Sequence, residues 1–186
     1  MKKVIVMALA AVLFVGTGCS STQSLKENTN KEAKKDAQKA MDQSLFEEAQ
    51  QAMEDKAFTL EADRVIFKRG SNVFVNSNTN FVMVNKDRAS VQVAFNVPAG
   101  GPNGLGGVTV DGNVSSYEMR TDKKGNVYLP MNVMGTGISA QVEITLLQGS
   151  NNASVTISPN FNSNRLTLSG KVLPLEKSNV FKGQAL

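Results

Sequence analysis

The chain has 186 residues, with 20 Lys and Arg against 16 Asp and Glu, 41% hydrophobic residues, a single cysteine, and neither histidine nor tryptophan. Setting aside Lys2 and Lys3, the balance falls to about +2, too mild to point to nucleic acid. One thiol excludes a disulfide framework and a cysteine metal site, and the lack of histidine removes the commonest general base and metal ligand together.

The chain opens with Lys2 and Lys3, an uncharged apolar run from Val4 to Val15, and the small residues Gly16-Thr17-Gly18 before Cys19. A run of about 12 apolar residues is too short for a hydrocarbon core, which needs roughly 20, but suits the central part of a secretory signal. Residues 1–18 therefore read as a lipoprotein signal peptide and Cys19 as the lipidation site, although Gly16 stands where such sites more often carry Leu. An ordinary signal peptide ending near a cysteine is the alternative. An acylated Cys19 anchors the chain, since each buried methylene contributes about 0.8 kcal/mol and several acyl chains act together.

Residues 19–30, rich in Ser, Thr, Gln, Asn and Lys, read as a flexible polar tether. The absence of acidic residues directly behind Cys19 favours a domain facing the periplasm from the outer membrane. From 31 to 56 the composition turns to Ala, Lys, Glu, Gln and Met without Gly or Pro, all strong helix formers. Ala33, Ala37, Ala40, Met41, Leu45, Ala49, Ala52 and Met53 recur at three- and four-residue steps, which predicts one amphipathic helix with a narrow apolar stripe. It either docks on its own domain or offers a partner surface.

At Ala57 the period changes from 3.6 to 2 and holds to the end of the chain, so 57–186 read as an antiparallel β domain. Phe58, Leu60 and Ala62 alternate with polar residues until Val65-Ile66-Phe67 breaks the pattern, which predicts a bulge near Arg64. Short strands follow at Val73 to Asn76, Phe81 to Asn85 and Ser90 to Asn96. Val97 to Gly107 carries five glycines, but a strand follows it instead of a helix N-terminus, so a wide loop is expected and not a phosphate cradle. Val108 to Ser115 alternates, with a second bulge expected at Asp111-Gly112. Asp122-Lys123-Lys124-Gly125-Asn126 is a hairpin turn. Val127, Leu129, Met131 and Val133 form one inward face and Ala140, Val142, Ile144 and Leu146 another, before short strands at Val155-Ile157 and Leu166 to Val172. Pro174 to Leu186 reads as a tail.

Eight or nine short strands joined by tight turns cannot form a parallel sheet, whose crossovers need a dozen residues or more each. The expected fold is mainly β: an antiparallel meander closed into a lipocalin-like barrel or folded into a two-sheet sandwich, preceded by one long helix.

The blocks Gly101-Pro102-Asn103-Gly104, Gly106 to Gly112, Thr121 to Tyr128, Asn132-Val133-Met134-Gly135, Gly137-Ile138-Ser139-Ala140 and Ile157 to Phe161 occur in the order found in the envelope lipoprotein family called domain of unknown function 4251. The resemblance spans roughly Phe58 to Lys182. It implies a small lipoprotein of anaerobic Gram-negative bacteria, and it brings no activity, substrate or catalytic residue with it.

The residues themselves offer weak chemistry. Glu61, Asp63, Asp111, Glu118 and Glu143 are the strand carboxylates, better explained as solvated positions than as an acid/base pair. A Ser-Lys nucleophile lacks a marking motif. Asn76, Asn78, Asn80, Asn160, Asn162 and Asn164 fit turn chemistry better than sugar binding, and Met83, Met131 and Met134 fit core filling better than a ligand cavity. No catalytic residue, cofactor or metal site is assigned, and Cys19 is the one residue given a chemical fate. The expected function is a non-enzymatic, lipid-anchored envelope module that holds a small apolar ligand or contacts another envelope protein. The alternatives are an assembly partner acting through the helix and, behind it, an enzyme. A barrel cavity of about 300 Å³ or more favours the ligand, and a filled core favours the partner.

Overall fold

A computed structural model describes residues 21–66, 70–94, 107–136, 138–160 and 165–182, with side chains from residue 31 onward and not at 107 and 108. The chain divides into two units, Met1–Ala37 and Gln38–Leu186. The signal peptide, Cys19 and the glycine-rich loop lie outside the described residues.

The helix α1 runs over Ser21–Glu54, ten residues earlier than the pattern predicts, and takes in residues 21–30 that composition marks as a tether. No Gly or Pro stands between Ser21 and Glu54 to stop it. Its exposed faces carry side-chain hydrogen bonds four residues apart, Gln38 to Asp42, Gln43 to Glu47, Gln50 to Glu54 and Gln51 to Asp55, each a few tenths of a kcal/mol in favour of helix. The predicted stripe is half correct. Ala49, Ala52 and Met53 are buried, joined by Phe46, while Ala33, Ala37, Ala40 and Met41 are exposed. Lys56, at φ 54°, turns the chain out of the helix and into the first strand.

Ten strands follow: β1 (Ala57–Ile66), β2 (Asn72–Phe74), β3 (Phe81–Asn85), β4 (Arg88–Ala94), β5 (Gly107–Ser115), β6 (Arg120–Thr121), β7 (Val127–Gly135), β8 (Ser139–Leu146), β9 (Asn152–Pro159) and β10 (Leu166–Pro174). Eight of them pair antiparallel in the cyclic order β1-β3-β4-β5-β7-β8-β9-β10, and β10 returns to β1 with Leu60 opposite Val172. The sheet is thus a closed barrel and not a sandwich. The two short strands lie outside the circle, β2 on β1 and β6 on β7. Closure pairs every barrel strand on both sides, which removes the long open edges on which antiparallel sheets aggregate.

The bulge near Arg64 is present, since the β1–β10 register shifts between Ala62 and Arg64. Gly170 lies opposite, where a Cβ would stand 1.9 Å from the Glu61 carbonyl oxygen, so only glycine fits the approach. The bulge expected at Asp111-Gly112 is absent. Gly112 instead marks where β5 passes from β4 to β7, pairing with Ala89 on one side and Gly135 on the other. A Cβ at Gly112 would meet the Met134 carbonyl oxygen at 2.2 Å, so the missing side chain answers a close backbone approach. Ser116, at φ 54°, follows the end of β5. Gly125 and Gly149 take the positive φ values their turns require.

Candidate functional site

The barrel interior is the first place to look for a site, and among the described residues it is closely packed. Inward residues from all eight barrel strands join Phe46, Ala49, Ala52 and Met53 of α1 in one apolar cluster. Phe58, Leu60, Val65, Val82, Val84, Leu129, Val133, Val142, Leu146, Val155 and Leu168 are each 0% exposed. A void able to hold one water would leave accessible area on the side chains around it, and these have none, while Val93, Val110 and Ile157 of the same cluster keep 4–5%. Eight strands enclose an interior just wide enough for side chains to fill, and here Phe58, Leu60, Leu129, Met131 and Ile144 fill it. Met131 belongs to this core, Met134 is exposed, and Met83 points outward.

The strand carboxylates do not converge as a pair. Asp63, Glu118 and Glu143 are exposed. Asp111 accepts from Ser90 Oγ at 3.0 Å and Lys182 Nζ at 2.6 Å, with Arg88 3.6 Å away. Burial pushes its carboxyl up, but the Lys182 and Ser90 hydrogen bonds and the charges of Lys182 and Arg88 outweigh that and hold it below the usual aspartate value. Glu61 accepts from Ser178 Oγ at 2.8 Å. The asparagines serve the backbone. Asn76 Oδ1 accepts from the Asn78 amide, Asn80 bridges the Asn76 carbonyl and the Ala94 amide, and Asn160 Oδ1 accepts from the Ser139 amide. Asn162 and Asn164 lie outside the described residues. Among the described residues no group of three potential metal ligands occurs, and no helix is long and apolar enough to cross a membrane.

Where α1 ends, Tyr117 donates its hydroxyl to the Met53 carbonyl, and Lys56 Nζ lies 5.0 Å from the centre of the Tyr117 ring. Burial raises the Tyr117 pKa, so the hydroxyl keeps its proton and remains a donor. Beside this end lies an open groove of about 530 Å³, with Ala52, Ala57, Pro174 and Leu175 on its floor and Glu48, Asp55 and Glu176 at its rim. Lys177 crosses to Glu48.

The arrangement that sequence reasoning missed is on the outside of the barrel. Register places Glu61, Phe81, Gln92 and Thr109 in one outward row across β1, β3, β4 and β5. Thr59, Met83, Ser90 and Asp111 form the next row. An outward row on a barrel is normally wet, but Thr59, Phe81, Gln92 and Thr109 are all 0% exposed. The segment read as a tail supplies cover. After β10 a 3₁₀ turn, Leu175–Lys177, lies against β1 and β3, and the chain then crosses the rows as a strap. Ser178 bonds Glu61, the Phe181 amide donates to the Asn78 carbonyl at 2.7 Å, the Phe181 carbonyl accepts from Gln92 Nε2 at 2.9 Å, and Lys182 bonds Asp111. One signal was present in the sequence: Phe81-Val82-Met83-Val84 is apolar on both faces, as a strand covered on both sides must be.

The family described as Domain of unknown function (DUF4251) matches residues 40–172. A crystal structure of a DUF4251 family protein from Bacteroides eggerthii is similar at 53% identity and a TM-score of 0.69, covering 80% of this chain and 99% of that one. Among curated proteins no match was found.

Proposed function

Since this chain belongs to the DUF4251 family, whose function is unknown, we propose from its own residues that it is a lipid-anchored envelope module that works without catalysis, through contacts made by its exterior. The single observation that carries this reading is the filled barrel. Lipocalin-like binding needs an interior of a few hundred Å³, and the close packing of Phe58, Leu60, Leu129 and their neighbours at 0% exposure supports the contact reading over a held ligand. The polar residues add to it. Asp111 and Glu61 are engaged by a lysine and by serines, and each strand carboxylate either stands exposed or is paired in this way. Acyl chains on Cys19 would hold the domain at the outer membrane, facing the periplasm, and the leader from Lys2 to Gly18 supports that address.

The test is photo-crosslinking in intact envelopes, with the crosslinker placed at exposed barrel positions, followed by recovery of the adduct. A defined protein adduct is the expected result. Adducts to lipid alone, from every position, contradict it. Cys19→Ser should in parallel release the protein from the membrane fraction, and a variant that stays membrane-bound refutes the anchor.

A further inference from the structure

The outer face of β1, β3, β4 and β5 holds its strap by main-chain groups at Phe181 and by side chains at Ser178 and Lys182. At Phe181 both bonds use its own main chain, its amide donating to the Asn78 carbonyl and its carbonyl accepting from Gln92, while the residue is 64% exposed. Gln92 is aimed at that carbonyl by its neighbours. Its amide also donates to the Thr79 carbonyl at 3.1 Å, and its Oε1 accepts from the Thr109 hydroxyl at 3.3 Å. A fixed side-chain amide that reads a peptide carbonyl is indifferent to the side chain attached to it. At the two ends of the crossing stand carboxylates, Glu61 on β1 and Asp111 on β5, and the strap meets them with a hydroxyl and an ammonium. Beside Glu61 on β1, Thr59 is fully buried on the outward side, and its hydroxyl has no hydrogen-bond partner. The strap thus leaves one polar group of this face unused, at a cost of about 1–3 kcal/mol for such a group. Glu176, Lys177, Phe181 and Lys182 are themselves exposed, while Leu175 and Val180 are half-buried and the strap lies over the outward Phe81, so it is held by a few polar bonds together with the apolar surface it covers. Its exposed end, Phe181 and Lys182, is the kind of segment that opens below the free energy of global unfolding.

We propose that this face is an acceptor for an extended, cationic peptide segment of another envelope protein, and that Leu175–Lys182 is its resident occupant, displaced when the partner binds. The partner segment supplies an amide to the Asn78 carbonyl, a carbonyl to Gln92, and a lysine or arginine to Asp111. Arg88, 3.6 Å from Asp111, already shares that carboxylate with Lys182, and the partner's cation takes the place of Lys182. The assignment rests on the reading that the protein acts through its exterior. Because the strap is tethered, it competes at an effective concentration on the order of millimolar, and a partner displaces it when its own contacts exceed that.

The test uses the full mature chain and a labelled peptide with the sequence of residues 174–182. Hydrogen exchange first compares the Phe181 amide with that of Val142 in the barrel. The proposal expects exchange at Phe181 at least 100-fold faster, and about 2- to 5-fold faster again in Lys182→Ala, which removes one partly exposed ion pair. The peptide should bind Lys182→Ala about 2- to 5-fold more tightly than the unaltered chain, and should lose a similar factor in Lys182→Ala/Asp111→Asn, whose face can no longer pair the peptide's lysine. A Phe181 amide as protected as Val142 in both proteins overturns the proposal, because the strap is then a permanent part of the fold. So does an exchanging strap with no peptide binding to Lys182→Ala, because the face then accepts only its tethered segment. Either failure leaves envelope crosslinks at other exterior positions intact, so the broader reading is judged separately.

Discussion

Phe58→Ala puts the filled interior at risk most directly. Phe58 is among the largest side chains of the cluster, is 0% exposed, and sits on β1 between Val84 of β3 and Pro174 of β10. Truncation removes a phenyl ring and leaves a cavity on the order of 100 Å³, which at about 24 cal/mol per Å³ costs about 2.4 kcal/mol before the lost transfer energy is added. The expected total is about 3–5 kcal/mol, the range of buried Phe→Ala substitutions. For a domain of this size each kcal/mol lowers Tm by about 2–4 °C, so thermal unfolding followed by circular dichroism should fall by roughly 6–20 °C. Xenon supplies the complementary measurement, since a dry apolar cavity takes it up. Phe58→Ala should bind xenon and the unaltered protein should not. A Tm loss under about 2 °C, or xenon uptake by the unaltered barrel, would refute the claim that side chains fill it.

Three further outcomes follow from particular contacts. Gly170→Ala drives a Cβ toward the Glu61 carbonyl at the β1 bulge and should cost about 1–3 kcal/mol or more, read as a lowered denaturation midpoint with an unchanged m-value; no change would show that the bulge has room. Tyr117→Phe removes the bond to the Met53 carbonyl and should cost about 1 kcal/mol, with faster amide exchange in the last turn of α1 and unaltered exchange in β8. Asp111→Asn should lower stability at neutral pH by about 0.5–1 kcal/mol, since the partly exposed partners screen the pair. The folded carboxyl lies below its unfolded value, so this contribution is complete above about pH 4 and disappears as pH falls through the folded pKa. Urea titrations of the two proteins should therefore approach one another as the pH falls below about 4, and a gap that does not narrow in acid would contradict the assignment.

Much of the barrel was legible because its strands alternate cleanly. Val127, Leu129, Met131 and Val133 face inward as their period requires, and so do Ala140, Val142, Ile144 and Leu146. The bulge at Arg64 announced itself by a break in that period. Closure was not legible, because the same alternation serves a barrel or a sandwich. The pairing of β10 with β1 decides between them, and it joins residues more than a hundred positions apart. The bulge expected at Gly112 failed for a related reason: a glycine in a strand signals a bulge or a close approach, and only the register of β5 against both neighbours says which. In α1 the alanine stripe continues at helical spacing well before Phe46, but only the last turns meet the apolar cluster, and periodicity carries no information about where a partner begins. The strap was hidden most completely. Lys177, Ser178 and Lys182 look like part of a solvated tail, and their bonds run to Glu48, Glu61 and Asp111, none of which is near them in sequence.

Native mass spectrometry of the protein extracted from its own membranes tests the central claim most directly. A mass equal to the lipid-modified chain, with no further small molecule released on denaturation, is the result expected of a barrel filled by its own side chains. A stoichiometric apolar ligand, retained through purification and lost only when the barrel unfolds, would contradict it.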